Sequence, residues 1–168
     1  MKIAIIGLGN PIVGDDAVGI RVLDYIKENK TLPSFVDIMV DVSLSGIGLV
    51  ELFRGYDKVI IIDSMQSNQF EPGTVLRLNP DQFVSALHVS DYHNMDFFTA
   101  YEFGKEIYDD LPPNEQIVIL GIEINYITEF SDQLSPEIKS KFDDIVNDVY
   151  QFIKKEINQE KEIIRNVL

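Results

Sequence analysis

Asp15-Asp16, Asp63, His88 and His93 are the residues of this 168-residue chain whose types and placement suit chemistry. The aspartate pair closes a glycine-bearing loop, Gly7-Leu8-Gly9-Asn10-Pro11-Ile12-Val13-Gly14, and leads into Ala17-Val18-Gly19. Asp63 directly follows the apolar run Val59-Ile60-Ile61-Ile62, and both histidines fall between His88 and Asp96. Two carboxylates and one imidazole converging from separate strand ends would suit a divalent ion of the harder or borderline kind. Such an ion polarises a carbonyl or activates water. The chain has no cysteine, which excludes disulfides, a thiol nucleophile and every cysteine-based metal site. It also lacks the G-x-S-x-G elbow and the H-E-x-x-H helix. Hydrolysis on this chain therefore rests on carboxylates, a histidine or a metal.

Each of these residues has a plainer reading. The loop departs from G-x-G-x-x-G because Ile12 stands where the third glycine belongs. Two aspartates at the following helix start would also repel a phosphate, so dinucleotide binding is set aside. Asp15 or Asp16 could simply cap the helix, although a cap needs only one of them. Asp63 could close a loop, and residue types alone do not rank His88 against His93.

The elements that must position these residues follow from periodicity. Residues 2–7 read as a buried strand ending in glycine. Val18, Val22, Tyr25 and Ile26 predict a helix over about residues 17–30. A strand over 35–42, a short helix over 46–54 and a strong strand over 58–63 follow. Pro72-Gly73 is turn chemistry before a strand at 74–78. Residues 79–95 read as irregular and 96–107 as helical. Pro112-Pro113 precedes a fifth strand over 116–122. Ser135-Pro136, a cap followed by proline in the first turn, opens the last helix, with Ile138, Phe142, Ile145, Val149 and Phe152 as its apolar stripe. Strands alternating with helices predict an α/β class, a three-layer α/β/α sandwich around a mostly parallel sheet of about five strands. Ligands on such sheets bind at the carboxyl ends of the strands. One domain is expected over residues 1–153, with 154–168 as a helix extension or tail.

Composition narrows the function classes. The formal charge is −14 and the isoelectric point is near 4.4, which opposes nucleic-acid binding because phosphate affinity comes from lysine and arginine. No apolar run approaches the ~20 residues that span a bilayer, so no membrane partner is expected. Met1 leads straight into strand-like sequence without a signal-peptide pattern, and the expected location is the cytoplasm. A monomer is expected.

Taken in order, the motifs resemble a known family. Gly7-x-Gly9-Asn10-x-x-x-x-Asp15-Asp16-x-x-Gly19 is similar to the opening of the hydrogenase maturation proteases, endopeptidases that trim the C-terminal tail of the nickel–iron hydrogenase large subunit. Asp41 to Gly46, Val59 to Asp63, Pro72-Gly73-Thr74-Val75 and Ser90-Asp91-Tyr92-His93 continue the series. Ile119-Leu120-Gly121-Ile122-Glu123 and Leu134-Ser135-Pro136-Glu137 complete it. The resemblance covers about residues 1–153.

It implies an aspartyl-type endopeptidase in which Asp16, Asp63 and His93 are both catalytic and metal-contacting. The nickel would arrive already loaded in the precursor of the large subunit. Another divalent ion could occupy the site of the free protein. Asp41 is a weak candidate for substrate contact. Two departures stand out: the family often has glutamate where this chain has the shorter Asp16, and Val42-Ser43-Leu44-Ser45-Gly46 lacks the family's glycine-rich, threonine-bearing turn. The same three groups would also serve a non-catalytic metal-checking or assembly factor on the same fold. Gly7-Leu8-Gly9-Asn10-Pro11 is similar to the opening of peptidyl-tRNA hydrolase as well. That family's early histidine is missing here, and the acidic charge opposes tRNA.

Overall fold

Apolar residues alternate along the strands so that each strand feeds two cores, and this fixes three layers. The computed structural model describes residues 1–42, 44–82, 92–125 and 130–167; the side chains of 41, 42, 92–96 and 160–167 also lie outside the description. The strands are β1 (Ile3–Leu8), β2 (Val36–Val42), β3 (Lys58–Met65), β4 (Val75–Leu78) and β5 (Ile117–Glu123). They form one sheet in the order β2-β1-β3-β5-β4, parallel except for β4, which pairs antiparallel with β5. The helices are α1 (Val18–Asn29), α2 (Gly46–Glu51), α3 (Tyr92–Ile107), α4 (Pro136–Ser140) and α5 (Phe142–Val167). The α/β sandwich and its mostly parallel sheet are as the sequence predicts.

Ile3, Ile5, Ile60, Ile62, Val118 and Leu120 point to the face covered by α1, α4 and α5. The intervening residues, Ala4, Ile6, Val59, Ile61, Ile117 and Ile119, point to the face covered by α2 and α3. Burial on both faces explains why β1, β3 and β5 read as nearly continuous apolar runs rather than as alternations.

The chain crosses one face between β1 and β2, through α1, and the opposite face between β2 and β3, through α2. β1 leads to β2 on one side of it, whereas β3, on its other side, leads on toward the far edge of the sheet. The strand order thus reverses between β1 and β3, the place where such sheets open a crevice at the carboxyl ends of their strands.

Several boundaries differ from those read in the sequence. β3 continues past Asp63 to Met65, because Asp63, Ser64 and Met65 pair with Gly121, Ile122 and Glu123 of β5. α3 begins at Tyr92 rather than at 96. The last helix starts at the expected cap, where Ser135 Oγ accepts the Ile138 amide at 3.3 Å, but breaks at Lys141. Beyond that break α5 runs to Val167. Its buried row is Ile145, Val149, Ile153 and Ile157, with Phe152 only half-buried. No described helix is long and apolar enough to cross a membrane.

Candidate functional site

The loop between β1 and α1 is folded back on itself so that it delivers Asp16 to β3. Gly9 has φ +137°, and a Cβ there would lie 2.1 Å from the Asp16 carbonyl oxygen. Only glycine fits that position. The Val13 amide bonds Asn10 O, the Asp16 amide bonds Val13 O, and residues Gly14–Ala17 form a 3-10 turn. From outside, the loop is clamped by the segment before α4. The Gly14 amide donates to Ser131 O at 2.8 Å, the Ser131 amide donates to Ile12 O at 3.1 Å, and Arg21 donates to Asp132 O.

The adjacent aspartates face different tasks. Neither caps a helix, since no side-chain cap bond forms at the 3-10 turn or at α1. Asp15, 7% exposed, accepts the Ser135 amide at 2.7 Å and so ties the loop to the start of α4. Asp16 turns to the crevice: one carboxylate oxygen accepts the Asn10 amide and the other accepts the Ser64 hydroxyl, each at 2.8 Å. Ser64 follows Asp63, and its amide donates to Asp63 Oδ1 at 2.8 Å. Asp16 and Asp63, separated by 47 positions in sequence, thus meet through one serine at the carboxyl ends of β1 and β3.

The wall beyond Asp63 is held by a buried carboxylate. Glu123, 1% exposed at the end of β5, accepts the amides of Ser67 and Asn68 at 2.9 Å each and the Ser67 hydroxyl at 2.8 Å. Asn68 sits at φ 57°, a left-handed conformation that this pair of amide bonds secures.

The histidines are only partly placed. His93 lies in the first turn of α3, and its side chain is outside the described residues. His88 is outside them altogether. Asp41 lies in β2, with its side chain likewise outside. Among the described residues no three histidine, aspartate or glutamate side chains gather around an ion-sized space. A separate cleft of about 440 Å³, lined by Arg21, Tyr25, Leu134, Lys139 and Phe142 among others, includes neither Asp16 nor Asp63.

Sequence reasoning assigns no role to Ser64 or Glu123. A polar residue at the end of an apolar strand is the only available signal, and both stand at one. What the spacing did not reveal was their partners.

A family model described as hydrogenase maturation protease, of the HycI type, matches residues 20–152, which include Asp63 and His93 and begin after Asp16. Hydrogenase 2 maturation protease of Escherichia coli strain K12 is 33% identical over 87 residues, 52% of each protein, so the matched stretch spans about half of that relative. A putative hydrogenase maturation protease of Methanocaldococcus jannaschii is 27% identical over 158 residues, covering 91% of this chain and 97% of that protein. Among solved structures, the hydrogenase maturating endopeptidase HybD from E. coli superimposes with a TM-score of 0.76 at 20% identity, over 92% of this chain and 93% of that one, a likeness of fold. With its family model matched over most of its length, this chain belongs to the hydrogenase maturation protease family.

Proposed function

We propose that the protein is an endopeptidase that removes the C-terminal propeptide from the nickel-loaded precursor of a nickel–iron hydrogenase large subunit. The observation that carries this reading is the hydrogen-bonded path from Asp16 through Ser64 to Asp63 at the β1–β3 crevice. Family membership supplies the reaction class.

In this reading nickel is part of the substrate. Asp16, Asp63 and His93 provide three ligand groups without a thiolate, too few for a closed resident site. They suffice to complete the coordination of an ion that already has ligands on the precursor. Asp16, with a donor on each oxygen, acts as the fixed ligand. The ion brings the scissile peptide beside Asp63, and either the ion polarises its carbonyl or a carboxylate takes the proton of attacking water. A precursor without nickel presents nothing for the triad to grip, so recognition and metal loading are one event.

The test is incubation with precursor that is loaded with nickel, loaded with zinc, or empty, followed by product mass. Nickel-loaded precursor is expected to lose its propeptide while the empty one stays whole with protein in excess. Efficient cutting of empty precursor in chelator would sink the shared-ion mechanism but leave a protease. Failure to cut any precursor would favour a metal-checking factor instead.

A further inference from the structure

We propose that Ser64 is a positioning residue that registers the Asp16 carboxylate against Asp63; the inference rests on the reading of those two aspartates given above. Asp16 has two fixed points. The Asn10 amide belongs to the same loop and says nothing about the neighbouring strand. The Ser64 hydroxyl belongs to β3, the strand that carries Asp63, and its amide already holds Asp63 Oδ1. Ser64 is 9% exposed, so water has little room to replace its hydroxyl.

The loop itself does not depend on this bond. Bonds to Asn10, Val13, Ser131 and Ser135 keep residues 9–17 in place. Removing the hydroxyl therefore frees the orientation of the Asp16 carboxylate relative to Asp63 while the loop stays folded. An orienting hydrogen bond to a metal-contacting carboxylate is commonly worth about 10–100-fold in affinity or activity.

Ser67 provides a matched control. It is fully buried at the same end of the sheet, and its hydroxyl also donates to a carboxylate at 2.8 Å, but that carboxylate is Glu123. The experiment is single-turnover processing of nickel-loaded precursor by wild type, Ser64→Ala, Ser64→Thr and Ser67→Ala over a range of protein concentrations. For Ser64→Ala, the rate at saturating protein is expected to fall about tenfold or more, and the half-saturating concentration to rise as the Asp16 contact to the precursor's ion loosens. Ser64→Thr retains the hydroxyl and restores the rate; should its extra methyl disturb the circular dichroism spectrum, the two alanine variants decide. Ser67→Ala is expected within about twofold of wild type at saturation. A wild-type rate for Ser64→Ala, an equal loss in Ser67→Ala, or a loss confined to half-saturation overturns the inference. A wild type that processes no precursor would instead strike at the functional reading.

Discussion

Gly19→Ala tests whether the approach of α1 to the sheet sets the site. A Cβ on Gly19 would lie 2.5 Å from Ile62 O and 2.9 Å from Leu8 O, both backbone atoms that cannot rotate away. Ordinary contact begins near 3.4 Å, so α1 must retreat by roughly 0.9 Å. Overpacking of this kind costs ~1–3 kcal/mol, of which the better helix propensity of alanine returns ~0.5–1. The net loss of about 0–2.5 kcal/mol corresponds to a melting temperature lower by at most about 10 °C for a domain of this size. Function should suffer far more. Asp16 lies three residues before Gly19, and its 2.8 Å bond to Ser64 stretches beyond hydrogen-bond reach if the retreat carries it along. A misplacement near 1 Å at a catalytic group costs ~100-fold in rate. Thermal melts and the precursor-processing assay, run on Gly19→Ala and on Gly48→Ala, read both effects. Among the described residues the added Cβ of Gly48→Ala meets only Leu44 Cδ2, at 3.8 Å, so that variant should keep its rate and lose no stability. A folded Gly19→Ala that processes precursor within twofold of wild type would refute the argument.

His93→Ala should abolish processing while His88→Ala leaves most of it, because only His93 stands in the segment that resembles the family; equal losses with intact circular dichroism would reverse the choice. Glu156→Gln should cost about 1.5–3 kcal/mol in urea unfolding at pH 7, since it removes the charge of the carboxylate that accepts from the nearly buried Lys58 at 2.8 Å and from the partly exposed Arg77. Burial raises the Glu156 carboxyl, but hydrogen bonds from Arg77 and Lys58 outweigh it and hold the group below its ordinary 4.5. The ionised form is thus favoured by folding, so its contribution is complete above about pH 4.5 and fades as pH falls through the lower folded value. A wild-type-to-variant difference that grows on acidification would contradict that sign.

The sheet was legible because burial on both faces writes runs such as Ile3–Ile6 and Val59–Ile62 into the sequence. Boundaries were less so. Asp63 reads as a strand end because it is polar, yet the β5 partner carries the ladder two residues further. The break at Lys141 has no glycine or proline to announce it; there the Lys141 ammonium reaches across to Pro72 O at 2.7 Å, a tertiary contact. The site divides in the same way. Asp16 and Asp63 stood out by type and by place at strand ends. The division of labour between Asp15 and Asp16 did not, because it is decided by Ser135 and Ser64, partners 120 and 48 residues away.

The two ends of the sheet treat their carboxylates differently, and the difference bears on function. At the amino end of β3, Glu156 lies between Lys58 and Arg77, so its charge is balanced within the fold. At the carboxyl end, Asp16 takes its hydrogen bonds from an amide and a hydroxyl, and among the described residues no lysine or arginine forms an ion pair with it. Neutral donors orient a carboxylate without cancelling its charge. A protein with a formal charge of −14 gains nothing in stability from an uncompensated anion beside Asp63. The arrangement makes sense if the balancing charge comes from outside. A divalent cation carried in by the precursor would supply it, and would leave when the processed product departs.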